Sequence, residues 1–187
     1  MRNRTSAQSA RTFLTDSESF LGAAQVLEQS GKFGLEGPKY YLASHSLELI
    51  LKAFILHKGG TECQLRNKIG HDLSKAWRRA TKLGLIPADS RLEVIVDWLA
   101  PYHSEHRFRY RQTGFLTLPA SGESLQIIRS LIDQIGPDID RALRAEIQAR
   151  QAGLESGGSA TYNQNSLRTA GSSHITGFPP GSRPRAV

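Results

Sequence analysis

Apolar residues recur at helical spacing through most of the chain. The first such run contains Phe20, Leu21, Ala24 and Leu27, and the preceding segment Thr15-Asp-Ser-Glu18 has the pattern of a capping box. We therefore predict a first helix that begins near Thr15. A second helix is predicted from about Pro38 to His57, and because it is apolar around most of its circumference, it should lie at the centre of a bundle.

A third helix is predicted from Asp72, a suitable N-cap, to Gly84. One of its faces is apolar and should be buried, with Leu73 and Trp77 packed against the second helix. The opposite face is cationic and should stay in solvent, either as a plain solvated face or as the source of any nonspecific affinity for RNA. We call it the basic stripe: Lys75, Arg78, Arg79 and Lys82.

Two more helices follow. The fourth should begin at a second capping box, Ser90-Arg-Leu-Glu93, and end before Pro101. The last should run from about Gly122 to Arg150, with a kink or a break at Gly136-Pro137. Residues 115–118 could form a short extended piece, but no sheet is indicated. The predicted fold is all-α, an antiparallel helical bundle of four to six helices.

Composition changes this picture at the two ends. The 187 residues suffice for one domain, which we place at residues 12–150. Residues 1–11 should be flexible, and residues 151–187 should form a disordered, basic tail rich in Gly, Ser and Pro. The net charge is +7, and most of the excess lies in these ends. The near-neutral bundle is therefore weak support for a surface that binds duplex nucleic acid.

The sequence also excludes several classes of protein. One cysteine, Cys63, rules out an internal disulfide framework and a Cys-rich zinc module. No apolar run approaches the ~18–20 residues of a membrane span, and the N-terminus lacks the apolar core of a secretory signal, so we expect a cytoplasmic protein. Glycine-rich phosphate loops, Gly-x-Ser-x-Gly elbows and His-Glu-x-x-His motifs are missing, and we expect neither a cofactor nor a metal.

Two groups of polar residues are candidates for chemistry. Tyr41, His45, Glu48 and Lys52 share one face of the second helix, either as its solvent edge or as a polar seam that faces a cleft. The second group lies in the segment from Arg66 to Asp72, which brings an arginine and His71 to a helix start and could bind a phosphate. The alternative is that His71 and Asp72 cap the helix and Arg66 is a surface residue.

A third candidate is the segment from His103 to Arg111. His103 and His106 alone make a poor zinc site, because no second cluster completes it. Further on, Arg107, Arg109 and Arg111 alternate with Phe108 and Tyr110, which suits single-stranded nucleic acid through charge and stacking. Alternatively, the two rings plug the bundle and the arginines pair with nearby acids.

Three motifs together resemble the HEPN superfamily of small helical-bundle domains. The second helix carries His45-Ser-Leu-Glu-Leu-Ile-Leu-Lys-Ala, similar to the family's H-S-x-E-L-x-L-K-A helix; Gly70-His-Asp-Leu and Arg109-Tyr110 match its other two motifs. The resemblance covers roughly residues 12–150. It implies a homodimer and, in many members, a metal-independent endoribonuclease of toxin–antitoxin, phage-defence or RNA-processing type. Other members are non-catalytic and bind nucleotides or partner proteins.

The family's ribonuclease motif is an arginine followed, after four to six residues, by a histidine. Arg66 and His71 match this spacing, but they precede the third helix, whereas the family places the motif at a later one. The first hypothesis is therefore an RNA-cutting or RNA-binding protein, with His71 as base and with Arg66, or one of Arg107, Arg109 and Arg111, stabilising the phosphorane. Both copies of a dimer would supply groups. The second is a non-catalytic bundle whose seam of His45, Glu48 and Lys52, with His71 and Tyr110, holds a nucleotide or merely ties helices together. Asp72 and Arg107 are further binding candidates, and a small partner protein could bind the bundle. An antitoxin or a nucleotidyltransferase would be such a partner.

Overall fold

A computed structural model describes residues 4–105, 107–108 and 119–157 of the chain. Its elements are helical, and the described residues contain no strand. The order is α1 (Ser6–Gln29), α2 (Glu36–His57), the single turn α3 (Glu62–Gln64), a π-helical turn (Leu65–Ile69), α4 (Leu73–Lys82), α5 (Leu92–Ser104) and α6 (Ser121–Gly157). The prediction of an all-α antiparallel bundle is confirmed.

The centre of the bundle is α2, which contacts α1, α4, α5 and α6. Its Leu47, Ile50, Leu51 and Ile55 are fully buried although they point in several directions around the helix axis. An apolar circumference of this kind can be buried only if other helices surround it, as the sequence predicted. None of the helices in the described ranges is long and apolar enough to cross a membrane.

The third predicted helix is confirmed at its start. Asp72 is the N-cap of α4, and its Oδ1 accepts a hydrogen bond from the backbone N–H of Lys75 at 2.9 Å. Leu73 and Trp77 are buried as expected, and all four residues of the basic stripe are exposed. This amphipathic division fixes which side of α4 faces the core.

The N-terminal boundary was predicted wrongly. Helix α1 begins at Ser6, and its capping box uses Thr5 and Gln8, with 3.2 Å between each side-chain oxygen and the other residue's N–H. Thr15 lies inside the helix, where its hydroxyl donates to the Arg11 carbonyl at 3.0 Å. The prediction of a flexible segment up to residue 11 therefore fails from Thr5 onward. The reason is that small residues such as Ser9 and Ala10 pack closely in the bundle without an apolar pattern.

Two prolines interrupt helices less than predicted. Helix α5 begins at Leu92 rather than at the Ser90 box and continues through Pro101 to Ser104. Helix α6 continues through Pro137 to Gly157, seven residues beyond the predicted end at Arg150 and into the predicted tail. Both prolines are on exposed faces, where the carbonyl that loses its partner meets water instead of the core. The predicted extended piece at 115–118 and residues 158–187 of the predicted tail lie outside the described residues.

Candidate functional site

A single carboxylate, Glu48, organises the polar interior of the bundle. Its side chain is only 1% exposed. Lys52, one turn further along α2, brings Nζ to 2.5 Å from Oε1, and His103 of α5 brings Nε2 to 2.5 Å from Oε2. Of the two interpretations of this helix face, the polar seam is the correct one for Glu48 and Lys52, since both are buried.

These partners keep Glu48 ionised inside the protein. Burial by itself would raise the pKa of the carboxyl, because a low dielectric disfavours the charge. The hydrogen bonds from His103 and Lys52, together with their positive charge, outweigh burial and lower the pKa of Glu48 from 4.5 to about 2. Glu48 is therefore a fixed acceptor at neutral pH.

His103 connects this carboxylate to the next polar group. Its side chain is 5% exposed, and its Nδ1 lies 3.0 Å from the hydroxyl oxygen of Ser44 on α2. One histidine thus joins α5 to two positions of α2. It was considered in the sequence only as a metal partner of His106, so its role as a partner of Glu48 was missed.

His71 is the exposed member of the network. It follows Gly70, whose positive φ of 59° lets the chain turn sharply from the π-helical turn into α4. The Nδ1 atom of His71 lies 3.0 Å from Oε1 of Glu48, while 63% of the side chain is exposed. Because ionised Glu48 can only accept, Nδ1 must carry a proton, and the neutral tautomer then presents the lone pair of Nε2.

His45 is half-buried on the same side of Glu48. Its Nδ1 is 3.8 Å from Oε2, too far for a hydrogen bond, and has no partner among the described residues. The ring packs edge-on against Phe20, with 4.5 Å between centroids, and stacks on Tyr41. Burial lowers the pKa of His45 more than the charge of Glu48 raises it, so this imidazole is neutral at physiological pH.

A cleft of about 560 Å³ opens beside these residues. Three elements bring polar groups to the cleft. Helix α1 contributes polar side chains, α2 contributes the carboxylate network, and the π-helical turn contributes an arginine. It is lined by Arg4, Ser9, Thr12, Phe13, Asp16, His45, Glu48, Leu49, Lys52, Glu62, Leu65, Arg66, Gly70 and His71. The cleft therefore brings together five of the predicted site residues: His45, Glu48, Lys52, Arg66 and His71.

Arg66 is exposed and forms no ion pair with any described residue. By contrast, Lys52 is engaged by Glu48 at 2.5 Å. Arg66 is thus a cation of this cleft that is available to an anionic ligand, and its planar fork suits a phosphate.

Three residues of this network carry atoms that could ligate a metal ion. Ligand atoms of His45, Glu48 and His103 all lie within 4.8 Å of one another. However, the ammonium of Lys52 already lies 2.5 Å from the carboxylate and would repel a divalent cation. The donor set therefore fits an internal ion-pair network better than a metal centre.

The remaining predicted residues are elsewhere. Asp72 caps α4, and although burial alone would raise its pKa, hydrogen bonds and charge from Lys75 lower it. Arg107 pairs with Glu105 at 2.5 Å and lies over the ring of Tyr102, and it does not line the cleft. Arg109 and Tyr110 lie outside the described residues.

Sequence reasoning missed the α1 side of the cleft. Arg4, Thr12 and Asp16 line it, although the segment was read only as a flexible end and a core-facing helix. The spacing of four residues between Thr12 and Asp16 was a usable signal, because it places both on one face of a helix. Which element would face that side could not be read from the pattern.

Comparisons of the chain with protein-family models, with curated proteins and with solved structures gave no match. The geometry of the cleft and the motif resemblance are therefore the grounds for a function.

Proposed function

We propose that the chain is a HEPN-like, metal-independent endoribonuclease of toxin–antitoxin or defence type, with His71 as general base. The observation that carries this proposal is the pairing of exposed His71 with buried, ionised Glu48 at 3.0 Å. A buried carboxylate that holds one imidazole nitrogen fixes the tautomer and orientation of the ring, as in the acid–histidine pairs of hydrolases. Glu48 is then a positioning residue, and His71 is the residue that meets the substrate.

The reaction proposed is attack by the ribose 2′-hydroxyl on the adjacent phosphate. Nε2 of His71 takes the proton of the 2′-hydroxyl, the 2′ oxygen forms a bond to phosphorus, and the bond to the 5′ oxygen breaks. The leaving 5′ oxygen takes a proton from water, so the products are a 2′,3′-cyclic phosphate and a 5′-hydroxyl end. Because the nucleophile belongs to the RNA itself, no metal-bound water is needed.

Arg66 would stabilise the charge that develops on the phosphate in this step. It lines the same cleft as His71 and has no competing ion pair among the described residues. A guanidinium can donate two parallel hydrogen bonds to the non-bridging oxygens, which an ammonium cannot do. We therefore expect Arg66→Lys to restore only part of the activity that Arg66→Ala loses, with Arg144→Ala as the surface control.

The direct test compares RNA cleavage by wild type, His71→Ala and His57→Ala in the presence of EDTA. His57 is a matched control, since it lies at the end of α2 and does not line the cleft. We expect His71→Ala to lose about 100-fold or more of the rate, the usual contribution of a general base, and His57→Ala to cleave normally. Cleavage that survives in His71→Ala would remove His71 from the mechanism.

A second candidate function is the binding of a nucleotide without cleavage. It is favoured by the mixed lining of the cleft, which includes apolar Phe13, Leu49 and Leu65 as well as cationic Arg66. Apolar walls suit a base, and the arginine suits a phosphate. If neither wild type nor His71→Ala cleaves any RNA, yet Arg66→Ala weakens nucleotide binding, this second function is the correct one.

Partners belong to the same proposal. We expect two copies to form a homodimer, as the family resemblance implies, and an antitoxin or a nucleotidyltransferase to bind the dimer in a toxin–antitoxin setting. Co-purification of the chain with the product of a neighbouring reading frame would test the second part.

A further inference from the structure

A second cavity, of about 460 Å³, lies on the other side of the π-helical turn from the cleft. Its floor is apolar, formed by the buried side chains of Ile55 and Ile69. Its walls come from α4 and from the turn that precedes it. We call it the basic groove, lined by Ile55, Gln64, Lys68, Ile69, Lys75, Arg78, Arg79 and Lys82.

The charged residues that line this groove are all cationic. Five of its eight lining residues are cationic and none is acidic. Lys75 pairs with Asp72 at 3.1 Å, whereas Lys68, Arg78, Arg79 and Lys82 form no ion pair with the described residues. Like charges held together repel one another, so an arrangement of this kind is stabilised when an anion with several charges lies among them.

The groove and the cleft share the segment from Glu62 to Ile69 as a common wall. Within it, Arg66 lines the cleft, whereas Gln64 and Lys68 line the groove. A chain molecule that crosses this turn would therefore meet Arg66 and His71 on one side and four further cations of α4 on the other.

We infer that the basic groove binds the sugar–phosphate backbone of the RNA strand whose scissile phosphate lies in the cleft. This inference rests on the proposed function, and it names the groove as the part of the substrate path that holds flanking phosphates. The chemistry matches, because arginine forks and flexible lysines bind phosphates without reading bases. An apolar floor of this kind lets lysine and arginine side chains lay their aliphatic stems on it and keep their charged ends in solvent, where a phosphate can meet them.

The test measures binding of a single-stranded 2′-deoxy oligonucleotide, which lacks the attacking hydroxyl and cannot be cut by the proposed reaction. The variant is Arg78→Gln/Arg79→Gln. The matched control is Lys32→Gln/Arg144→Gln, which removes the same charge from two exposed positions that line neither cavity. Thermal melting of both variants shows that they are folded.

We expect the groove variant to bind roughly tenfold more weakly at low salt, and the control to bind like wild type. The slope of log affinity against log salt should become shallower by about 1.4, the value for two phosphate contacts on a single strand. Equal affinity of the two variants would overturn the inference. So would wild type that fails to bind the oligonucleotide, or that binds polyglutamate instead, since the groove would then serve an acidic polypeptide.

This experiment is separate from the test of the proposed function. If His71→Ala still cleaves RNA but the groove variant loses affinity, the mechanism is wrong and the groove assignment stands. If His71→Ala is inactive and the groove variant binds normally, the groove assignment is wrong and the mechanism stands.

Discussion

Glu48 shows how one residue can belong to both the fold and the site. Its carboxylate accepts from Lys52, His103 and His71, which lie on α2, on α5 and before α4. A buried charge is tolerated only when it is paired and fully hydrogen-bonded, and these three donors satisfy that condition. The same bonds that hold the helices together therefore also hold the imidazole of His71 at the edge of the cleft.

We expect Glu48→Gln to destabilise the protein by about 3–5 kcal/mol, because it leaves the ammonium of Lys52 buried without its partner. Glu48→Gln/Lys52→Met removes both charges and should recover a large part of this loss. Urea unfolding at pH 7 of wild type, Glu48→Gln, Lys52→Met and the double variant measures the coupling between the two side chains. A Glu48→Gln protein as stable as wild type would show that this pair does not support the bundle.

Stability should also fall in acid through the same carboxyl. The pKa of Glu48 is about 2 in the folded protein and 4.5 when the group is free, so the folded state holds fewer protons at this site. The stabilisation is therefore complete above about pH 4.5 and is lost as the pH falls towards 2, with about 2 kcal/mol gone by pH 3. Urea unfolding between pH 6 and pH 3 should show this extra loss in wild type relative to Glu48→Gln/Lys52→Met; parallel curves would contradict it.

For individual residues, the sequence predicts which side chains share a face of one helix or turn. It does not predict which side chains from different elements come into contact. His45, Glu48 and Lys52 were found because helical spacing places them on one face, and Arg66 and His71 because they flank one turn. His103 lies 55 residues from Glu48 along the chain, and no local pattern connects the two. Whether the face of α2 that carries Glu48 and Lys52 is exposed to solvent or buried likewise depends on how α5 packs against it, and local spacing does not encode that packing.

The start of a helix is likewise difficult to predict from the local sequence. Both Thr5 and Thr15 begin a segment with the pattern of a capping box, and only Thr5 caps α1. The difference comes from tertiary contacts at the N-terminal end: Thr5 donates to Glu146 at 2.7 Å, Ser6 to the carbonyl of Leu56 at 2.8 Å, and Ser9 to Glu62 at 2.5 Å. Such contacts lie outside any local pattern, so helix existence was predictable for α1 and its start was not.

This difference gives a prediction at the scale of the element. Thr5→Ala should destabilise the protein by about 1 kcal/mol, because it removes the acceptor for the Gln8 N–H and the bond to Glu146. Thr15→Ala removes an exposed hydroxyl whose hydrogen bonds go only to Arg11, one turn earlier in the same helix. Because alanine has the higher helix propensity, this change should be neutral or slightly stabilising. Thermal or urea unfolding compares the stabilities of the two variants. If Thr15→Ala were the more destabilising, the helix would begin at Thr15 instead of Ser6.

At the scale of the whole molecule, two cavities flank the π-helical turn. The cleft lies between α1, α2 and the π-helical turn, and the basic groove lies beyond that turn along α4. Helix α5 contributes a third surface, on which Val94 and Trp98 are 54% and 39% exposed. These two residues are four apart and share one side of the helix, so an apolar strip faces outward there.

The last prediction is that two copies associate through this outward side of α5. Burial of Val94 and Trp98 would remove apolar surface from water, and a twofold dimer is the commonest way to cover such a strip. Sedimentation equilibrium at micromolar concentration should show a dimer that Trp98→Lys converts to a monomer. Phe33→Lys is the control, since Phe33 is fully exposed in the loop between α1 and α2 and lies outside the strip. A wild-type protein that is monomeric at all concentrations would contradict the prediction of a dimer. If Trp98→Lys were still a dimer, the interface would lie on another face of the protein.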